Sequence, residues 1–506
     1  MRIGFGERPG KVAADTFQQP PWTRSSPEWL TLDKQLDADH LARLIDRSVD
    51  QLDLTPLWQS YSGRGTPPYR PDLMLKIALF EIRRGRTSPA HWDLDTTENI
   101  ALHWLGMGIR PTRSVWYTFA VRLQPYLDGF NQQVLQQAHE QGQTSGKQAS
   151  LDGTFVEANA SRHHLLNSEQ LQKRCEVLQA ACQADTQDAT AAEQPYWMAQ
   201  SADTRQRQLE QYEQAHEHLQ QRLAENQERI PSKRQEEKHV RISVTDPEAA
   251  LGRDKLKVFR PLYNVQLLRD VDSPFILGYD TFARASDTGT LVPLLHRAEL
   301  LSGRRPETVL VDSGYITALD LADAQQLHVA LYGPWKENDY SEPETTPAKQ
   351  LSKDVFLWEE AAGQYRCPQQ QPLLQVGVQN RPRSLGRTEK LAIYRADAAT
   401  CTACPLKARC CPRSQSGRNL NRSEHEELIE AHRRKMATPE AKALYKRRRE
   451  TVEPSFGDAK QHRNYRRVHG RGLKKAKAHT ALTVLAHNLY ELVKASWGAE
   501  PLPEAT

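Results

Sequence analysis

Apolar positions in this chain recur first with a helical period and later with a strand period. Residues 1–35 are rich in Pro, Gly and polar side chains, which predicts an arm and not a packed element. From residue 36 to about 140 the period is helical. Asp37-Ala38-Asp39 precedes a run that sets Leu41, Leu44 and Ile45 on one face, and Pro71 opens another with Leu73, Ile77 and Phe80, ending near Gly85. Shorter helical segments over residues 88–94 and 112–123 complete an all-helical domain with Arg83, Arg84, Arg86, Arg110 and Arg113 at its turns. That pattern suits a helix-turn-helix-like DNA reader and a dimerisation or packing domain equally.

The period changes after Gly146. Leu151, Phe155 and Val156 around Asp152 read as a strand, followed by a polar stretch from Ser161 to about Lys238. Within that stretch Leu209, Tyr212, His216, Leu219, Leu223, Asn226 and Ile230 alternate at spacings of three and four, a heptad seam that predicts a protruding helical hairpin. Strand patterns resume over residues 262–268 and 275–282. A helix over 291–301, a strand over 308–311, a helix over 318–326 and a strand over 328–332 follow. The order strand, strand, strand, helix, strand, helix, strand predicts an α/β fold with a mixed sheet flanked by helices.

Hydrophobic content of 38% and the absence of any apolar run long enough to span a bilayer exclude a helical membrane protein. The first residues lack a signal-peptide core, so a cytoplasmic location is expected. The net charge of +5 says little, but its distribution says more: residues 431–480 hold sixteen Lys or Arg against four Asp or Glu. Such a segment suits a polyanion, and it also suits a solvated helix face. Seven cysteines are too few and too uneven for a disulfide scaffold. Cys401-Thr402-Ala403-Cys404, Cys410-Cys411 and the upstream Cys367-Pro368 supply four thiolates, Cys367, Cys401, Cys404 and either Cys410 or Cys411, for a tetrahedral structural Zn²⁺; unliganded buried thiols are the other reading. No His lies nearby to make a catalytic zinc. Cys175 and Cys182, seven apart, read as packing residues, and His462, His469, His479 and His487 as surface or DNA-facing.

Three carboxylates stand out. Asp152 lies in the first strand, Asp312 ends another just before Ser313-Gly314, and Glu453 sits inside the basic run Lys446-Arg447-Arg448-Arg449-Glu450-Thr451-Val452-Glu453. Hard oxygen donors of this kind suit Mg²⁺ or Mn²⁺. On one continuous helix Tyr445, Arg449, Glu453 and Lys460 share a face, although Pro454 predicts a kink or a restart there. Singly, each has a plainer reading as a turn, cap or salt-bridge residue.

Their joint occurrence is specific. Asp152-Gly153-Thr154 with Ala158-Asn159-Ala160-Ser161, Val311-Asp312-Ser313-Gly314-Tyr315, and Tyr445, Arg449, Glu453, Pro454, Phe456, Gly457 and Lys460 resemble the signatures of DDE transposases of bacterial insertion sequences. Thr245-Asp246-Pro247-Glu248-Ala249 and Tyr263-Asn264-Val265-Gln266 add to the likeness, which spans residues 36–492. Leu262, where relatives tend to have Gly, and the Tyr445-to-Arg449 spacing depart from it.

The resemblance implies an RNase-H-like mixed sheet with flanking helices, a helical insertion and an all-α N-terminal domain. The expected domains are 36–145 (helical, for DNA-end binding or assembly), 146–345 (first part of the core, with insertion 162–240), 346–430 (cysteine-bearing insertion) and 431–495 (catalytic helix and basic track). It implies two Mg²⁺ or Mn²⁺ ions held by Asp152, Asp312 and Glu453, which nick DNA and then join the freed 3′-hydroxyl to a target. Arg449, Lys460, Arg463, Arg466, Arg467, Arg471, Lys474 and Lys475 are the expected phosphate contacts. The implied partners are the element's terminal inverted repeats, target DNA and a second copy of the chain at synapsis, with no membrane. A catalytically inactive DNA-binding derivative and a nuclease without strand transfer stand as the alternatives.

Overall fold

Pro in a first helical turn and a left-handed Gly beyond the last bound a helix, and the chain has both: a helix covers Pro71–Arg83, and Gly85 follows at φ 76°. The computed structural model describes residues 16–62, 65–187, 194–229, 234–254, 257–335, 351–383 and 386–497. It divides into one unit of residues 1–287, 293–307 and 447–506 and another of residues 288–292 and 308–446.

The first unit opens with helices α1 (Pro27–Asp33), α2 (Leu41–Asp50), α3 (Thr55–Gln59), α4 (Pro71–Arg83), α5 (Pro89–Glu98), α6 (Ile100–Leu105), α7 (Arg113–Leu123) and α8 (Leu127–Glu140). The expected arm over residues 1–35 is packed from residue 16 onward: Phe17 and Trp29 are buried, Trp29 stacks on Trp104 at 5.3 Å, and its Nε1 donates to the Trp104 carbonyl at 3.0 Å. Two aromatic rings suffice to hold a short segment that composition alone marks as loose. Residues 1–15 lie outside the described residues.

Strand β1 (Gln148–Glu157) follows, then β2 (Leu165–Leu166), helices α9 (Ser168–Thr186) and α10 (Ala202–Glu228), and strands β3 (Ile242–Ser243), β4 (Ala250–Arg253), β5 (Phe259–Asp270) and β6 (Ile276–Phe282). α9 and α10 are the expected hairpin. Leu209, Tyr212, Leu219 and Asn226 are buried along its seam, Ala215 takes the inward place expected of His216, Cys175 and Cys182 pack partly buried beside it, and Ile230 lies outside the described residues. β5 pairs antiparallel with β1 along one edge and with β4 and β6 along the other. Helix α11 (Leu291–Ser302) packs against β6 so closely that a Cβ on Gly278 would lie 2.9 Å from that of Ala298.

The second unit holds β7 (Thr308–Leu310), α12 (Ala318–Gln326) and β8 (Ala330–Tyr332), with β7 and β8 parallel as a strand-helix-strand crossover requires. A five-stranded antiparallel sheet comes next, made of β9 (Leu357–Glu359), β10 (Gln364–Arg366), β11 (Pro372–Pro382), β12 (Thr388–Ala396) and, after short helices α13 (Ala398–Thr402) and α14 (Lys407–Cys410), β13 (Asn419–Ser423). Helices α15 (Glu426–Ala437) and α16 (Pro439–Lys446) close the unit. The chain then re-enters the first unit as α17 (Arg448–Gly457), a π-helical turn over Asp458–His462 and the long α18 (Leu473–Trp497). No helix among the described residues is long and apolar enough to cross a membrane.

Candidate active site

Side chains alternate along β1, so Asp152 and Thr154 share one face and Gly153 faces the other way. α17 lies over the Asp152 face. Its Arg448 guanidinium, 9% exposed, reaches Asp152 Oδ1 at 2.9 Å through Nη2 and Glu453 Oε1 at 3.4 Å through Nη1. One cation therefore grips a strand carboxylate and a helix carboxylate. Further contacts fix the helix there. Arg269 on β5 donates to the Thr451 carbonyl and, at 3.1 Å, to Ser455 Oγ; Lys460 Nζ donates to Thr154 Oγ1 at 2.6 Å and to the Phe155 carbonyl at 2.8 Å. Pro454 sits inside α17 without ending it. The helix does not extend back to Tyr445, however: it starts at Arg448, and Tyr445 belongs to α16. The single face expected for Tyr445, Arg449, Glu453 and Lys460 is thus broken at Arg447.

Behind Asp152 a buried polar network fills the space a side chain at Gly153 would take. Gly153 pairs with Gln266 across β1 and β5. Gln266 Nε2 donates to Asp287 Oδ1 at 2.7 Å and to Asn264 Oδ1 at 2.8 Å, and Asn264 Nδ2 donates to Asp287 Oδ1 at 2.8 Å. Asn264 and Gln266 are fully buried, so their amides need these partners. Asp287 has no place among the residues that sequence singled out; its signal was only a polar residue in a loop.

The basic segment is anchored at both ends. Glu157 at the end of β1 accepts from Val468 N at 2.8 Å and donates its own N–H to the Arg466 carbonyl at 2.9 Å, continuing the strand's pairing into the loop. Asp246 and Glu248 cap the start of α18, accepting from Gly472 N at 3.2 Å and Leu473 N at 2.9 Å, which satisfies orphan donors and places carboxylates at the positive end of the helix. Burial pushes the Asp246 carboxyl above its usual range. Arg449, Arg466, Arg467, Arg471, Lys474 and Lys475 are exposed. Two of the expected phosphate contacts already hold partners within the chain: Lys460 is tied to β1, and Arg463 donates to the Arg83 carbonyl and, at 3.2 Å, to Asp458. The histidine expectation also needs correcting. His479 is buried and its imidazole is held neutral, with burial taking it down to about 3, while His487 is shifted down for the same reason and engages the Pro274 carbonyl at 2.9 Å. Both lie on α18 faces that pack inward.

In the second unit Asp312 follows β7 and caps a short 3-10 turn, its Oδ1 accepting from Gly314 N at 2.6 Å. The Cys367, Cys401, Cys404, Cys410 and Cys411 thiols line one cavity of about 170 Å³. Burial and the neighbouring Cys411 push the Cys410 thiol up to about 12.

A family model described as a transposase DDE domain matches residues 366–493, and one described as a transposase domain (DUF772) matches residues 30–121. The two matches support a DDE transposase of insertion-sequence type. No curated protein gives a match. The first match contains Glu453 and the cysteines from Cys367 onward, and the second covers most of α1 to α7. A DDE transposase uses divalent metal, typically Mg²⁺. Asp152 and Glu453 fit such an ion as oxygen donors, since both already share one positive charge. Among the described residues no group of three or more His, Cys, Asp or Glu stands ready to hold a metal.

Proposed function

We propose that this transposase cuts DNA at the ends of an insertion sequence and joins the freed ends to target DNA, with Asp152, Asp312 and Glu453 as its metal-holding carboxylates on an RNase-H-like core. The observation that carries the reading is the grip of Arg448 on Asp152 and Glu453, which lie far apart in sequence. Asp312 joins them on its motif, Val311-Asp312-Ser313-Gly314-Tyr315. When bound, magnesium or manganese supplies positive charge to the oxygens that attack and leave the phosphodiester.

The chain's own residues do the rest. In the metal-free protein Arg448 offsets the repulsion between the two carboxylates and keeps them facing one another. Lys460 pins the backbone of β1 at Phe155, three residues beyond Asp152. The exposed Arg449, Arg466, Arg467, Arg471, Lys474 and Lys475 hold phosphates of the duplex, whatever its sequence. Water and then the freed 3′-hydroxyl are the nucleophiles, and two copies of the chain bring two ends together.

The test is a labelled fragment carrying the source element's ends, incubated with plasmid target and Mg²⁺. Joined DNA is expected. Asp152→Ala, Asp312→Ala and Glu453→Ala should each lose cleavage and joining while still binding DNA, and Glu450→Ala should keep both. Cleavage without joined product would make the protein a nuclease, and a Glu453→Ala variant as active as wild type would remove Glu453 from the site.

A further inference from the structure

We propose that Cys367, Cys401, Cys404 and Cys410 hold one structural zinc ion that closes the end of the five-stranded sheet. This does not rest on the transposition chemistry. The core of that sheet is small, built from Phe356, Tyr365, Leu373, Tyr394, Ala396 and Leu420, with Cys367, Cys401 and Cys410 packed partly buried against it. A core of this size gains much from a staple.

Three separate chain segments bring the thiols to the shared cavity. Cys367 follows β10, Cys401 lies on α13 with Cys404 just beyond it, and Cys410 ends α14. Two of the sulfurs already accept backbone N–H groups: Cys367 Sγ from Gln371 N and Cys404 Sγ from Leu406 N, each at 3.4 Å. Donors aimed at sulfur orient it, as the outer shell of a thiolate–metal site does. Both of these cysteines precede a proline, Pro368 and Pro405, which sharpens the turn that presents the sulfur. Four soft sulfur donors select zinc over magnesium. The thiols line the cavity without yet converging; binding draws them together and releases the thiol protons to solvent. Cys411 is the fifth thiol of the cavity and serves as the control.

Full-length protein purified without chelator should carry about one zinc per chain by elemental analysis. Cys404→Ser and Cys410→Ser should each lower this to under about a fifth and reduce the thermal midpoint, whereas Cys411→Ser and Cys182→Ser should retain it. Because a serine variant can lose metal simply by misfolding, wild-type protein supplies a second reading. Stripping the zinc should expose four additional reactive thiols, and returning zinc should protect them again. Absence of zinc even after reconstitution, iron in its place, full zinc in Cys404→Ser, or loss of metal in Cys411→Ser but not in Cys410→Ser would each overturn the assignment.

Discussion

Gly153→Ala tests the packing that positions Asp152. The new Cβ would overlap Gln266 Nε2 and lie 2.6 Å from Asp287 Oδ1, well inside contact distance for either. Gln266 is fully buried, so its amide can leave only by giving up its bonds to Asp287 and Asn264. The carboxylate bond is worth about 1.5–3 kcal/mol and the amide bond about 0.5–1.5 kcal/mol, with an orphaned acceptor left behind. Alanine returns about 0.4–1 kcal/mol by restricting the unfolded chain. A net loss of roughly 2–4 kcal/mol is therefore expected. Urea unfolding followed by two probes, because the chain has two units, would measure it. The decisive arm is the double variant: Gln266→Ala removes the obstacle, so Gly153→Ala in that background should cost at least about 1 kcal/mol less than it does alone. DNA cleavage should fall in the single variant, since Asp152 is the adjacent residue. A single variant within about 0.5 kcal/mol of wild type, or costs that simply add, would refute the steric argument.

Three further outcomes follow from named groups. Burial, with the Asp95 carboxylate adding to it, raises the Glu81 carboxyl to about 8. The folded state then keeps a proton that the unfolded chain loses near its ordinary value, so this stability is complete below about pH 4.5 and drains as pH rises through 8; Glu81→Gln should flatten the decline measured by unfolding between pH 5 and 8. His479 works in the opposite sense: with its folded value near 3, stability is present above the ordinary histidine range and is lost on acidification, so His479→Gln should reduce the acid sensitivity of unfolding between pH 6.5 and 4. Replacing Arg466 and Arg467 together by Ala should weaken specific and random duplex alike and reduce the log-affinity against log-salt slope by about 0.9 for each phosphate no longer neutralised, read by titration at several salt concentrations.

Local pattern carried much of the architecture. The helix after Pro71, the hairpin seam through Leu209, Tyr212 and Leu219, and the order of elements from β5 to β8 are all written in short-range periodicity and punctuation. For these segments the buried face and the period coincide. The sheet from β9 to β13 was not legible: its strands are short or, like β11, leave Leu374, Val376 and Val378 exposed, so inward and outward positions do not alternate cleanly. Within the acidic site, the residue types and the place of Glu453 in a basic run could be read directly. That Arg448, and not Arg449, turns to the carboxylates could not, because the helix starts at Arg448 and its phase depends on that start.

The sequence by itself determined which residue types are available: three carboxylates at strand and helix positions, a cysteine group and a basic track. Only the tertiary structure decided which of them are spent. Lys460 and Arg463 look like free cations in sequence, yet they bind Thr154, the Phe155 carbonyl, the Arg83 carbonyl and Asp458, and of the histidines that look like surface groups His479 is packed inside and His487 is half-buried against the Pro274 carbonyl. The physical reason is that charge and hydrogen-bonding capacity belong to a residue, whereas burial and partnership belong to the pair it forms. Such pairs, Arg448 with Asp152 or Gly153 with Gln266, are set by a strand register and a helix phase that no local window contains.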